Sequence, residues 1–532
     1  MVVSKGHERI GPIVVATRLT RPTVDGRYRA AMALPKVLGI ETEYGIVHRG
    51  PGESNPVTAS SLLINAYLSD LDRQAGAAKV EWDFEDETPG NDARGASGPA
   101  QPPEVETHLV NAVLTNGARY YVDHAHPEMS SPECADPLAV VRYDRAADVI
   151  LQRSMAAASR FLPADSELVV YKNNSDGKGN SYGCHENYLM ARSVPFARIV
   201  AAATAHFVTR QIFTGSGKVG TEAPGMGMTD VPYQITQRAD FFEAEVGLET
   251  TLKRPIVNTR DEPHADAQKY RRLHVITGDA NCSETATLLK LGTTAFVLAM
   301  VEDDALDDLA VFRSPVQAMR RVSYDLSLRL PNELADGSKV TALEIQWDLL
   351  AAARRWADRS GLDAVGGAVG DLVLDQWEEV LTALERDPAT LADRLDWVAK
   401  HRILTGYQDR HRLQWSDPRL AALALQYHDL RPERSLAARA GLRQIVDVAD
   451  VERSVTDPPD DTRAYFRGRC LQRWGDAVVA ANWDSLIFDT GGDVLRRVPM
   501  MEPLRGTRAH VGDLIEQSVD PADLLTRLSG AG

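Results

Sequence analysis

Three short segments carry ionisable side chains two residues apart, and that spacing fixes the face each one occupies. In VLGIETEYGIV, Val37–Val47, these are Glu41 and Glu43; in ARYYVDH, Ala118–His124, they are Arg119, Tyr121 and Asp123; in RRLHVI they are Arg272 and His274. Successive side chains of an extended strand point to opposite faces, so each set lines one side. A sheet facing water is normally polar, and for Glu41 and Glu43 alone that alternation is sufficient explanation. Together, however, the sets are rich in Arg, His, Tyr and carboxylates rather than in the Thr, Ser and Lys of a solvated face. They predict a sheet that lines a reactive cleft.

The rest of the pattern sets this sheet in an α+β fold. Strand-like runs recur at Glu167–Lys172, Ser181–Met190 and Arg272–Thr277, with helical periodicity at Ala59–Ala75, Pro137–Phe161 and Phe196–Phe213. Ser283 is placed to cap a helix, with Glu284 in its first turn. From Thr341 to His428 the pattern is almost wholly helical. Strands in groups, without strict βαβ alternation, predict a large, curved, mostly antiparallel sheet backed by helices. The expected organisation is an N-terminal extension over 1–33, a catalytic domain over 34–431 and a small C-terminal α/β domain with its tail over 432–532. Within the catalytic domain, Trp82–Val105 (WDFEDETPGNDARGASGPAQPPEV) breaks all periodicity and reads as a long mobile loop, of a length that is usually functional or disordered.

Composition excludes some functions. The formal net charge of −16 argues against binding to nucleic-acid phosphates. There is no unbroken apolar stretch of membrane-spanning length. The four cysteines, Cys134, Cys184, Cys282 and Cys470, form no CxxC pair, so neither a thiolate zinc site nor a disulfide framework is expected, and a reducing cytoplasm fits.

Carboxylates with one or two histidines are hard ligands suited to Mg²⁺ or Mn²⁺ bound with a nucleotide phosphate, and nearby arginines neutralise phosphate charge. Glu128, five residues beyond Asp123 in DHAHPE, can turn back into the same site. His124, His126 and Glu128 can also be read as a zinc cluster, but HExxH is missing and no thiolate assists. Gly215–Gly220 matches GxGxxG but follows a helix and enters a loop, the reverse of a dinucleotide-binding turn, and its GSGK is no Walker loop. Cys184 and His185 are adjacent, so on a strand they point apart, and Cys184 is expected to be a buried structural thiol.

Six long stretches, GIETEYGI, TNGARYYVDHAHPE, YKNNSDGKGNSYGCHENYL, NTRDEPHADAQKYRRLHVITGDAN, DPPDDTRAYFRG and MEPLRGTRAHVG, resemble in sequence and order the Pup ligase/depupylase family. That family is related to carboxylate–amine ligases of the glutamine synthetase type. The resemblance runs from about Lys36 to Gly512 and implies a glutamine synthetase-like cradle holding ATP (or ADP plus phosphate) and Mg²⁺. By position it implies metal ligation by Glu41, Glu43, Tyr121, Glu128, His185 and His274, nucleotide contacts from Arg119, Ser131 and Trp483, and catalysis by Asp123 as nucleophile or base. Arg238, Arg271 and Arg272 are the candidates for gripping the acidic C-terminal end of Pup. Of the two family activities, the loop at Trp82–Val105 and the DHAHPE spelling point to hydrolysis of the Pup–lysine isopeptide bond and deamidation of Pup's C-terminal Gln. The alternative is ATP-consuming ligation. Expected partners are Pup, pupylated proteins and a proteasomal ATPase.

Overall fold

The computed structural model describes residues 33–51, 55–75, 80–85, 87–95, 109–306 and 309–530. The expected extension, apart from Ala33, and residues 86 and 96–105 of the expected loop lie outside the described residues.

Ten strands form the main sheet: β1 (Leu38–Glu43), β2 (Val80–Trp82), β3 (Asn111–Val113), β4 (Arg119–Asp123), β5 (His126–Ser130), β6 (Cys184–Ala191), β7 (Tyr270–Val275), β8 (Val478–Ala481), β9 (Ser485–Phe488) and β10 (Arg496–Pro499). Their order is β7-β6-β1-β5-β4-β3-β2-β8-β9-β10. Every neighbouring pair is antiparallel except β2 with β8. The three strands that carry the alternating ionisable groups are therefore close together, β1 between β5 and β6, β4 next to β5, and β7 next to β6.

The run VLGIETEYGIV, expected as one strand, breaks at Tyr44. Gly45–Arg49 leaves the main sheet and pairs with Glu167–Tyr171 in a separate ribbon. Tyr44 is wholly buried, and its hydroxyl donates to Asp148 Oδ1 at 3.4 Å. Gly45 permits the crossing, since a Cβ there would lie 2.6 Å from both Asn173 Oδ1 and Tyr182 Oη.

The back of the sheet is covered by helices α1 (Pro56–Ala75), α2 (Pro137–Ala158), α3 (Phe196–Thr209) and α4 (Glu284–Glu302). Helix α4 is capped as expected: Ser283 Oγ accepts from Ala286 N at 3.1 Å. It is long and apolar enough by composition to cross a membrane, but it is buried throughout. A helix that is apolar all round is one that is covered all round. Two further helices, α5 (Ala342–Ser360) and α6 (Ala368–Arg386), pack outside it. Gly292 lets α6 approach, since a Cβ there would lie 2.4 Å from Val373 Cγ2.

The segment expected as a small C-terminal domain, 432–532, contributes β8, β9 and β10 to the main sheet through the pairing of Ala480 and Ala481 with Glu81 and Trp82. Its apolar residues Tyr465, Phe466, Leu486 and Phe488 share a cluster with Val80, Trp82 and Val113 from the first quarter of the chain.

Candidate active site

Strand register brings the carboxylates and imidazoles together. Glu41 lies opposite His185 on β6 and opposite Ser130 on β5, while Glu43 and Tyr121 both face Glu128. Two groups result, Glu41–His185–His274 and Glu43–Asp123–Glu128, each with its potential ligand atoms within 4.8 Å of one another. His185 Nδ1 is 2.9 Å from Glu41 Oε1, and His274 Nε2 is 3.9 Å from the same oxygen. Asn187 Oδ1 orients both His274 (Nδ1 at 2.9 Å) and Arg272 (Nη1 at 2.8 Å). Glu43 accepts from Gly183 N at 2.7 Å and stands 3.4 Å from His126 Nδ1. His126 in turn lies against the ring of Tyr182.

The electrostatics separate these groups. Burial pushes the Glu41 carboxyl up, but the hydrogen bond from His185 and the interactions with His274, His185 and Arg272 override it and hold Glu41 well below the usual carboxylate range. Glu128 goes the other way: burial, then the charges of Asp123, Glu41 and Glu43, push it well above its ordinary value. Burial and the Glu128 charge likewise keep Tyr121 a neutral phenol. Burial holds His274 well below its ordinary value, so it is a neutral imidazole, the form that ligates metals. Oxygen-rich groups with neutral imidazoles and no thiolate fit a hard divalent cation better than zinc. The crowding that raises Glu128 is what such a cation would relieve.

Beside the carboxylates stands a positive wall. Four guanidinium groups, Arg272, Arg463, Arg119 and Arg260, act on His264, whose basicity burial, and then these charges, hold far down. The Arg119 guanidinium is sandwiched 3.9 Å from the centre of the Trp82 ring and 4.1 Å from that of Tyr121. Its Nε donates to Asn111 Oδ1 at 2.9 Å, and its Nη1 is 3.9 Å from Glu87 Oε1. Arg260 Nε is buried with no hydrogen-bond partner among the described residues. A buried donor of this kind is satisfied when an anion such as phosphate enters.

A cavity of about 390 Å³ runs over this face, lined by Glu41, Arg119, Asp123, Glu128, Arg260 and His274 among others. Glu41 also lines a neighbouring, more apolar pocket with Ile40, Ser131, Leu189, His264, Arg463 and Trp483. Ser131 Oγ accepts from Ile40 N at 3.0 Å and donates to Pro132 O at 3.1 Å. Trp483 meets Trp82 edge to face at 5.2 Å between ring centres. A polar, cation-accepting cleft that opens into an apolar pocket suits a nucleotide, with phosphates on one side and base on the other.

Of the sequence-derived residues, Glu41, Glu43, Arg119, Tyr121, Asp123, Glu128, His185 and His274 converge on the cleft, and Ser131, Arg272 and Trp483 line the pocket beside it. Arg238 and Arg271 do not converge. Arg238 is 1% exposed, its guanidinium held by the Ile276 and Gly278 carbonyls and by Ser181 Oγ. Arg271 follows the strand alternation to the opposite face from Arg272, where Nη1 donates to Val194 O at 2.9 Å. Sequence reasoning missed Arg260, His264, Arg463 and Glu133. The first three lie inside the stretches NTRDEPH and DPPDDTRAYFRG, so their signal was present without a role. Glu133 binds both Arg463 and Arg467. Cys184 is buried, with Lys290 Nζ at 3.5 Å. Lys218 of the GSGK fragment is paired with Asp240 at 3.0 Å and with Glu222.

The described part of the expected loop is docked beside the site. Trp82 Nε1 donates to Glu87 Oε1 at 2.7 Å, and Thr88 N donates to Glu262. Ala93 N donates to Thr259 O and Asp261 N to Asn91 O, both at 2.8 Å. Residues 87–93 thus run along 259–262, where Arg260 enters the cleft.

Comparison with known proteins places this geometry in a family. The model of the Pup-ligase protein family matches residues 36–487. The chain is 51% identical to a depupylase of Acidothermus cellulolyticus, over 93% of this chain and 99% of that protein. It is 48% identical to the Pup deamidase/depupylase of Mycolicibacterium smegmatis, over 93% of this chain and 100% of the other. Identity to a Pup–protein ligase of Sanguibacter keddieii is 35%, over 91% of this chain and 100% of the other. Among solved structures, the complex of Pup with its ligase PafA superposes with a TM-score of 0.75 at 29% identity, covering 94% of this chain and 95% of that one. The Pup ligase PafA in complex with ADP gives 0.69 at 33% identity, covering 76% and 89%.

Proposed function

This chain belongs to the Pup-ligase family, and we propose that within it the protein is the hydrolase. It cleaves the isopeptide bond between Pup and substrate lysines and deamidates the C-terminal Gln of Pup. The observation that carries hydrolysis over ligation is the difference in identity, 51% and 48% over 93% of the chain to proteins named for depupylation, against 35% over 91% and 41% over 77% of the chain to proteins named as the ligase.

The chain binds a nucleotide, and we assign ATP to the arginine-walled cleft and the pocket of Ser131 and Trp483. Glu41, Glu43, Tyr121, Glu128, His185 and His274 would hold Mg²⁺. Bound there, the cation would neutralise phosphate charge and polarise the scissile carbonyl. Arg119, pinned between two rings, and Arg260, with its open donor, orient the anion. Arg272, on the same face, is the candidate that remains for the acidic end of Pup. Asp123 is partly exposed at the mouth of the cavity and acts on the carbonyl as nucleophile or as base toward water. Amide hydrolysis runs downhill, so nucleotide serves as a bound cofactor and not as fuel. We place the reaction in the cytoplasm, where a proteasomal ATPase would present pupylated proteins.

The test uses a lysine-linked Pup conjugate with Mg²⁺ and either ATP, a non-hydrolysable analogue or no nucleotide, alongside Asp123→Asn. Release of Pup with ATP and with the analogue, but not without nucleotide or with the variant, is the expected result. New conjugates and ADP from free Pup ending in Glu and a lysine-bearing protein, with no release from the preformed conjugate, would make the chain a ligase.

A further inference from the structure

Asp123 ends its strand at a two-residue hairpin turn. It pairs with His126, and His124 and Ala125 make the turn. His124 has a φ of +52°, whereas Ala125 does not adopt a positive φ. A positive φ confined to the first turn position is the pattern that glycine normally fills. A side chain at that position strains the backbone.

The turn does not need histidine to keep its shape. Ser60 Oγ, on α1, donates to the Ala125 carbonyl at 2.9 Å, and Tyr44 N donates to the Pro127 carbonyl at 3.0 Å. Both braces act through backbone atoms and would hold a glycine equally well. Nor does His124 add core, since its side chain is 70% exposed. What it does is reach Asp123, with Nδ1 3.0 Å from Oδ2. An exposed pair of this kind stabilises a fold too little to offset the strain. Glycine at this position would relieve the backbone but could not make the contact with Asp123.

Resting on the functional reading above, we propose that His124 is a positioning residue for Asp123. Its Nδ1–H holds Oδ2 and leaves the other oxygen to meet the scissile carbonyl. The restraint has a purpose: Glu128 and Glu43 lie close to Asp123 and repel it, so an unheld Asp123 side chain would rotate out of the cleft toward water. Reaction geometry is sensitive to displacements of that size.

The experiment compares the full-length wild type with His124→Gly and His124→Asn, using ATP, Mg²⁺ and a lysine-linked Pup conjugate. His124→Gly relieves the backbone and removes the donor. Its kcat is expected to fall by about tenfold or more and its KM to change by less than about twofold, while its thermal midpoint stays level or rises. Asparagine tolerates positive φ and offers a side-chain N–H, and His124→Asn is expected to keep kcat within about threefold of wild type. Wild-type kcat in His124→Gly, an equal loss in His124→Asn, or a fall in the glycine variant's midpoint would each overturn the assignment. Failure of the wild type to cleave the conjugate would instead sink the functional reading beneath it.

Discussion

Glu133 sits behind the nucleotide pocket, its carboxylate bound by Arg463 Nε at 2.7 Å and by Arg467. Burial pushes the carboxyl up, but Arg467 and Arg463 overcome it and bring it to about 2, against an ordinary 4.5. At roughly 1.4 kcal/mol for each factor of ten in proton affinity, that difference is worth about 3 kcal/mol at neutral pH. Removing one member of a buried ion cluster costs about 3–5 kcal/mol, the same size by a separate route. An unfolding entropy of about 2 cal/mol/K per residue over roughly 500 residues gives about 1 kcal/mol/K, so Glu133→Gln should lower the thermal midpoint by about 3 °C. The sign with pH follows from the depressed value: the contribution is complete above 4.5 and is lost as pH falls toward 2. At pH 3.5 about 2 kcal/mol remains, so the gap between wild type and variant should narrow to about 2 °C. Thermal melts of both proteins from pH 7 down to pH 3.5 measure it. A gap absent at pH 7, or one that does not narrow on acidification, would refute the electrostatic account.

Gly183→Ala would place a Cβ 2.3 Å from His185 Nε2 and 2.7 Å from Glu43 Oε1, so the Mg²⁺ concentration for half-maximal conjugate cleavage should rise by about tenfold or more; an unchanged Mg²⁺ titration would show that neither residue supports the cation. Arg238→Ala leaves the Ile276 and Gly278 carbonyls without their donor and should destabilise by about 1–3 kcal/mol in denaturant melts without altering KM for the Pup conjugate; a raised KM at unchanged stability would return Arg238 to substrate binding. Burial, then the charges of Asp123, Glu41 and Glu43, raise the Glu128 carboxyl, so a cation bound there competes with its proton and Mg²⁺ binding should tighten as pH rises. Calorimetry in two buffers of different ionisation enthalpy should give different apparent heats, and identical heats would count against this competition.

The face lined by carboxylates and imidazoles was legible because strand alternation is local. Glu41 and Glu43, or Arg119, Tyr121 and Asp123, need only an extended backbone to share a side, and the Ser283 cap needs only its own helix. What resisted reading depended on distant partners. Alternation continues unbroken through Tyr44, yet the chain changes ribbon there because Asp148 and the narrow gap at Gly45 lie elsewhere in the sequence. Arg238 and Arg272 look equally available as letters, and only the carbonyls around Arg238 remove it from the surface. The union of 432–532 with the main sheet rests on the three-residue strand Val80–Trp82, too short to carry a period. Arg260 and Arg463 were quoted within family stretches but had no alternation to mark them.

The same dependence decides what the cleft can do. On the function proposed above, its two carboxylate groups and its arginine wall would serve either direction of amide chemistry, since both would use a bound nucleotide and the Asp123 carboxylate at the carbonyl. Direction must then depend on what reaches Asp123, water or an amine, and so on the residues at the mouth. Phe84, Glu87 and Pro89, from the first part of the expected loop, line the cavity together with Leu109, Thr250 and Arg260. Residues 87–93 are fastened to 259–262 by backbone hydrogen bonds. The rim is therefore joined by direct contacts to the segment bearing Arg260 and, through Glu87 and Trp82, to Arg119.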